Sequence, residues 1–414
     1  METRLSPARL ALAVVMLTVI WSLGVQAQTY TLIYNFGSSG AADGRGPVAP
    51  LIFDPQGNLY GTTLQGGAAG FGSVFKLAPN GNGSWTESVI YSFPADGDQQ
   101  YSPVALDVRG NLYGETPGDG NQSQGSVYEL SPNGNGNWSI QTLHSFTGYP
   151  DGDAPTGGVL LGNANQVYGV ANAGGMRNIG MVFNLDHLSA AGWHEFTLHS
   201  FLGGSDGEYP GGPLAIDAAG NLYGVTNGGS GGNAIVYKLT PNQRSFGWSE
   251  SILYTFQNPY GTPNGGLIFD ASGNIYGTDR EDGPYYVGTV WKLSPNPDGN
   301  YTFTPLYSFT GVNGDGAYLN GPLVMDASGN LYGTTEQGGR LDGYYCMYGG
   351  CGTIFKLTPS SNGQWTETIL YDFNDTSSGW QPHDGLIMDR AGNLYGTALY
   401  GGATGAGTVF ELTP

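Results

Sequence analysis

The sequence predicts an all-β protein, a seven-bladed β-propeller with four-stranded blades. Three observations predict it. One repeat recurs seven times, each copy holds four strand-like pieces, and the composition suits tight turns and aromatic packing. The string Gly57-Asn58-Leu59-Tyr60-Gly61 returns around Tyr113, Tyr223, Tyr276, Tyr332 and Tyr395, and a degenerate copy, Asn165-Gln166-Val167-Tyr168-Gly169, fills the one gap. Successive tyrosines stand 53, 55, 55, 53, 56 and 63 residues apart, which is the size of a propeller blade. In the first copy the four pieces are 50–54, 59–63, 73–78 and 85–93. They are too short, and too rich in aromatic and β-branched residues, to be helices. Four isolated strands cannot bury both faces of a sheet, whereas a radial array buries each face on a neighbour.

Composition excludes the alternatives. With 72 Gly but no G-X-Y period the chain is not collagen-like, and 13% aromatic residues exclude a disordered one. The net charge of −20, from 33 acids against 13 bases, repels phosphate backbones and argues against a nucleic-acid partner. It leaves room for a loosely held divalent cation such as Ca²⁺; no other cofactor is called for. Residues 1–27 form a signal peptide: Arg4 and Arg9 make a basic start, an apolar run follows from Leu10 to Val25, and Val25-Gln26-Ala27 fits small-x-small cleavage. The mature chain then begins at Gln28 as a single propeller domain, 28–414. It is expected to be secreted, or held at the cell surface or in the periplasm, and to be a soluble monomer with no membrane span.

Each element has a local reason. Asp54-Pro55-Gln56-Gly57 fits a type I turn followed by a left-handed glycine, with the Asp carboxylate accepting a backbone N–H inside the turn. The same slot holds Asp107, Asp217, Asp270, Asp326 and Asp389, and Gly162 in the third copy. One carboxylate per turn is too few for a calcium cage, so these are structural residues. The third strand repeats as Val74-Phe75, Val127-Tyr128, Val182-Phe183, Val236-Tyr237, Val290-Trp291, Ile354-Phe355 and Val409-Phe410. The fourth strand ends on Phe in every copy: Phe36, Phe93, Phe146, Phe201, Phe256, Phe309 and Phe373. It opens on Trp85, Trp138, Trp193, Trp248, Tyr301 and Trp365. A slot filled this regularly is inter-blade packing before it is a sugar platform.

The pattern D-x-x-G-N-L-Y-G-T-T, then G-G, then V-F-K-L-x-P, then W-T-E-x-x-L-Y-S-F resembles the GloVer tandem repeats of bacterial surface proteins, and more distantly NHL-type propellers. The resemblance covers 29–414 and implies an exported bacterial propeller. It carries no catalytic residues across. Members of that group usually end in an anchoring segment, whereas this sequence stops at Thr413-Pro414.

No catalytic motif is present: there is no G-x-S-x-G elbow, phosphate loop or H-E-x-x-H. His144 and His199 take the Tyr place in the L-Y-S-F slot, and His383, in Pro382-His383-Asp384, stands in the loop entering the seventh blade. Loops entering the blades carry Asp43-Gly44, Asp96-Gly97, Asp151-Gly152, Asp206-Gly207 and Asp315-Gly316, either turn chemistry or an acidic mouth; the fifth has Tyr260-Gly261-Thr262 instead. Cys346 and Cys351, the only cysteines, lie in an insertion of the sixth copy, and export makes a disulfide between them the expectation. All four lysines, Lys76, Lys238, Lys292 and Lys356, share one slot of the third strand, and Glu87, Glu250 and Glu367 share a slot of the fourth. Cross-strand Lys–Glu neighbours are therefore expected in blades 1, 4 and 6. The N-terminal strand, about 30–36, should complete the seventh blade and hide its edge.

The function expected is non-enzymatic: binding or scaffolding through the face formed by the loops that vary most. The partner would be a neutral glycan or another envelope protein, met by Tyr285, Tyr286, Tyr344, Trp380 and His383. The alternative is a propeller enzyme, a lyase or hydrolase on sugars or lactones with a metal in the channel. It requires three or more polar side chains converging on the channel mouth.

Overall fold

In the computed structural model the chain is all-β, with seven four-stranded blades in a ring. Residues 28–414 are described apart from 41, 95–101, 119–122, 164–165, 189–191, 229–232, 243–246, 259–260, 264, 341–348 and 374–376; the expected signal segment lies outside them. Blade 2 shows the plan: Ala105–Leu106, Leu112–Thr116, Ser126–Pro132 and Trp138–Ser145 pair in that order, all antiparallel. The first strand is shorter than expected, two residues in six blades, because the turn and the loop before it take the rest. The ring closes as expected. Thr29–Asn35 pairs antiparallel with Thr408–Thr413, so the N-terminus supplies the outer strand of blade 7.

The turns are built as the sequence implies. Asp54 Oδ1 accepts N–H bonds from Gln56 and Asn58, both 2.9 Å, and Oδ2 accepts from Asn58 Nδ2 at 2.6 Å and the Tyr60 hydroxyl at 3.0 Å. Gly57 closes the turn at φ 84°, where a side chain would be strained. Burial alone would raise this carboxyl; the bonds from Asn58, Tyr60 and Gln56 outweigh it and hold it below its ordinary pKa. Asp107, Asp217, Asp270, Asp326 and Asp389 bond the same partners in their own turns. In the third copy Gln166 accepts from the Tyr168 hydroxyl at 3.2 Å and does part of the missing aspartate's work.

The core is seven clusters, one per seam between neighbouring blades. Successive residues of a strand point to opposite faces. Val74 therefore packs toward blade 2 and Phe75 toward blade 7. Each terminal Phe meets the next blade's third-strand aromatic at an angle: Phe36–Phe75 at 5.0 Å, Phe93–Tyr128 at 5.7 Å, Phe146–Phe183 at 5.1 Å, Phe201–Tyr237 at 5.2 Å, Phe256–Trp291 at 5.6 Å, Phe309–Phe355 at 5.0 Å and Phe373–Phe410 at 5.6 Å. The tryptophans also pack across seams, as Trp85 on Tyr395, Trp248 on Tyr168 and Trp365 on Tyr276.

That aromatic lies over the glycine of the repeated Leu-Tyr-Gly. A Cβ on Gly277 would stand 2.4 Å from the Trp291 ring. Gly277→Ala is expected to cost about 1–3 kcal/mol by overpacking, read as a lower urea midpoint at unchanged slope. An unchanged midpoint would show that the Trp291 ring has room to move.

The expected Lys–Glu pairs are not formed. Lys76 stands opposite Ser88, while Glu87 stands opposite Leu77, one residue on and so on the other face. The same offset holds for Lys238 with Ser251 and Lys356 with Thr368. The lysines instead lie over the repeat tyrosines, as Lys76 on Tyr60 at 5.6 Å. The glutamates face the preceding blade. There the carboxyl of the loop aspartate joins them, and both acids of the pair are held in a half-buried seam. Burial first, and Asp43 second, push Glu87 up to about 7; Asp315 does the same for Glu367, also about 7. Where the slot is aromatic it stacks instead: Phe303 on Tyr254 at 4.3 Å and Tyr30 on Tyr371 at 4.0 Å.

Candidate functional site: the channel mouth

The loops entering the blades gather at one end of the ring. Pro50, Pro103, Gly157, Pro322 and Asp384, each just ahead of a first strand, and Pro213, inside that of blade 4, line one cavity of about 240 Å³. Residues from six blades around one space identify it as the mouth of the central channel. The turn aspartates lie at the opposite end of the first strands.

The sequence hides how the mouth is framed. Gly44–Pro47, Gly152–Pro155 and Gly316–Ala317 are short strands that pair with the far end of the second strand, as Gly44 with Gly66. Being Gly- and Pro-rich, they read as turns. In blade 4 the two pieces merge into one strand, Glu208–Ile216. Hydroxyls then lock the mouth segments across seams. Thr62 donates to the Ser102 carbonyl at 3.1 Å, Thr278 to Gly321 at 3.3 Å and Thr334 to Asp384 at 2.7 Å. In blade 2 this Thr slot holds Glu115, fully buried, which accepts from Gly158 N at 2.6 Å and Ser102 Oγ at 3.2 Å. Burial, partly offset by those bonds, pushes it up to about 7.

The seven-fold pattern breaks on one side of the mouth. The second strand's last inward residue is Leu64 in blade 1 and Leu399 in blade 7, but Asn172, Asn227, Arg280 and Glu336 in blades 3 to 6. Arg280 Nη2 donates to Glu336 Oε2 at 2.7 Å, and Asn320 Nδ2 donates to the same oxygen at 3.0 Å. Asn320 also lies 3.4 Å from His383 Nε2, which links blades 5, 6 and 7 in one network. The Arg280 guanidinium stacks over Tyr318 at 5.0 Å. Asp279 fixes the backbone beside it, accepting from Thr262 N at 3.1 Å, Glu281 N at 3.0 Å and Asp282 N at 2.9 Å. This is how blade 5 manages without the Asp-Gly turn.

Burial sets the protonation of the mouth. It keeps His383 below its ordinary pKa, helped by Arg280 and opposed by Glu336. It raises Asp384 to about 8, against the Gly385 N–H bond of 2.7 Å. At neutral pH His383 is therefore uncharged and Asp384 largely protonated, while Glu336 is tied to Arg280. The mouth offers amide, imidazole and carboxyl groups that donate and accept hydrogen bonds with little free charge.

Of the residues expected to face a ligand, His383 lines the mouth. Tyr285 and Tyr286 are exposed at the loop between the second and third strands of blade 5. Trp380 was expected to be exposed; it is half-buried, stacked 4.6 Å from Tyr400 by the bridge between their backbones. Tyr344, Cys346 and Asp96 lie outside the described residues, and Cys351 is buried. The other loop aspartates do not ring the mouth. Asp43, Asp151, Asp206 and Asp315 turn outward to the seams and bond the loop backbone, as Asp315 to Thr310 N at 2.7 Å. The mouth asparagines and Arg280 escaped sequence reasoning; the departures from Leu64 and Leu399 in one column of the repeat were the signal available.

A model of the Gloeobacter/Verrucomicrobia repeat matches residues 17–149, 86–263 and 217–414. No curated protein matches the chain. Among solved structures, an S511A mutant of puromycin hydrolase complexed with PGG is similar at TM-score 0.52 and 12% identity, over 90% of this chain and 57% of that one. The chain thus spans little more than half that enzyme's length, and the likeness is one of fold. A putative oxidoreductase (glucose dehydrogenase) from Thermus thermophilus gives TM-score 0.44 at 16% identity, over 93% of this chain and 100% of that one. A protein of unknown function from Dyadobacter fermentans gives 0.42 at 10% identity, over 94% and 99%. With its matches running from residue 17 to the C-terminal residue, the chain belongs to the Gloeobacter/Verrucomicrobia repeat family.

Proposed function

We propose that this chain is an exported, non-catalytic binding propeller that takes a neutral polyhydroxylated ligand, a glycan end, at the channel mouth. One observation carries the reading: the network of Arg280, Glu336, Asn320 and His383 breaks the repeat on one side of the mouth only. A purely structural ring has no use for that asymmetry. The cavity of about 240 Å³ is below the roughly 300–1,000 Å³ typical of drug-sized ligands, so it suits one small ring or the protruding end of a polymer. Paired hydroxyls match a mouth of mixed donors and acceptors, and Tyr285 and Tyr286 add exposed flat faces on a loop of blade 5. Converging polar side chains are also what an enzymatic mouth requires; against it, the Arg280 guanidinium is held between the Glu336 and Glu281 carboxylates at 2.7 and 3.1 Å, which suits binding better than proton transfer. The chain acts as a monomer outside the cytoplasm, and a Cys346–Cys351 disulfide staples the sixth-blade insertion.

An array of neutral and acidic glycans should show binding confined to neutral ones, and a panel of hydrolase and lyase substrates should show no turnover. Turnover that disappears in Asp384→Asn would replace this reading with the enzymatic one.

A further inference from the structure

The seam between blades 3 and 4 carries a second constellation, away from the mouth. His199, from the outer strand of blade 3, sits where five other blades have Tyr34, Tyr91, Tyr254, Tyr307 and Tyr371. Its Nε2 is 3.3 Å from Asp206 Oδ1 and 3.6 Å from Glu250 Oε1. One donor atom from each residue fits within a sphere where all lie 4.8 Å or less apart. In the seam between blades 7 and 1 the matching Tyr34 hydroxyl simply donates to Asp43 Oδ2 at 3.0 Å. An imidazole in that place brings a ligating nitrogen instead of an O–H.

Two further facts point to a guest between these groups. His199 Nε2 and Glu250 Oε1 are both shut off from solvent, with only each other and Asp206 in reach; Glu87 and Glu367 keep a similarly shut-off oxygen in seams without a histidine, so the imidazole nitrogen is what sets this seam apart. Buried polar atoms left this way are rare and ask for an ion or a shared proton. Asp206, meanwhile, is already aimed: its Oδ2 is held by Leu202 N at 2.5 Å, which leaves Oδ1 facing the imidazole. The neighbouring seam has His144 3.3 Å from Asp151 Oδ1, but among the described residues no third donor atom joins that pair in one cluster.

We propose that His199, Asp206 and Glu250 bind a divalent transition cation, Zn²⁺ or a close relative, and pin blade 3 to blade 4. One imidazole nitrogen with two carboxylate oxygens is a Zn²⁺, Mn²⁺ or Ni²⁺ donor set, whereas Ca²⁺ and Mg²⁺ take oxygens alone. Three protein ligands leave a fourth position for water. The groups face one another from two blades, so the ion bridges the seam. The imidazole and carboxylates must be deprotonated to take up the ion, so affinity rises with pH.

The test is calorimetric titration of ZnCl₂ into the intact chain at pH 7.5, with His199→Tyr, His144→Tyr and CaCl₂ as comparisons. Tyrosine is the residue the repeat itself uses at both places, so the variants should fold; far-UV circular dichroism without metal checks this. The expected result is one Zn²⁺ site, weakened at least ten-fold by His199→Tyr, unaltered by His144→Tyr and not filled by Ca²⁺. Absence of Zn²⁺ binding, equal binding by His199→Tyr, or loss in His144→Tyr would each overturn the assignment. As a second readout, Zn²⁺ should raise the melting temperature of wild type and not of His199→Tyr.

Discussion

A chain beginning at residue 38 should melt far below one beginning at residue 28, or fail to fold. The deleted strand pairs along Thr408–Thr413 and carries Phe36, wholly buried against Phe75. It also carries Tyr30, stacked on Tyr371 and bonded through its hydroxyl to the Ser378 carbonyl at 2.5 Å. Losing the Phe36 side chain alone costs about 3–5 kcal/mol. The remaining ring would also be left with an open edge on blade 7, which invites pairing with other chains. A drop on the order of 10 °C or more is expected, together with aggregation. Equal melting temperatures for the two chains would mean that the seventh blade stands without its fourth strand.

The second large effect is on pH. Among the buried and half-buried acids with raised pKa values are Asp279 at about 6, Glu87, Glu115 and Glu367 at about 7, and Glu250 and Asp384 at about 8. A raised acid binds its proton more tightly in the folded chain than in the unfolded one. Its stabilising contribution is whole below the unfolded pKa of roughly 4–4.5 and is lost as pH climbs through 6 to 8. The turn aspartates run the other way, since their lowered pKa values withdraw stability only below roughly 4. His199 and His383, both lowered, trim stability slightly below about 6.5. Stability should therefore peak near pH 5 and fall toward pH 9. With the half-exposed seams discounted for solvent, the fully buried Glu115 and Asp384 still carry a fall of several kcal/mol. A melting series in chelator-containing buffers would show it; a maximum at pH 7–8 would contradict the carboxyl pairing at the seams.

Much of this was legible in the sequence, because the strands repeat. Seven copies act as an internal comparison. The turn aspartates, the terminal phenylalanines and the closing strand all follow from slots filled in nearly every copy. The faces of the sheet were harder. Lys76 and Glu87 look like partners because both recur, but a one-residue offset puts them on opposite sides, and the glutamate belongs to the neighbouring blade. Nothing within one repeat records which blade face a side chain will meet. The mouth was least legible. Asn227, Arg280, Asn320 and Glu336 come from three blades, and each looks like an ordinary loop residue until the ring closes. Trp380 illustrates the reverse, a loop aromatic that the fold turns inward onto Tyr400.

Ligand binding at the mouth is tested by calorimetric titration of the best neutral saccharide from the array into wild type, Asn320→Ala and Arg109→Ala. Asn320 stands in the mouth network, and Arg109 belongs to a turn on the opposite face. Loss of about one hydrogen bond to a charged or polar partner corresponds to roughly 1–2 kcal/mol, or about a ten-fold weakening. Asn320→Ala should show that weakening and Arg109→Ala none. Equal affinity for wild type and Asn320→Ala, with loss in Arg109→Ala, would place the ligand on the turn face and contradict it.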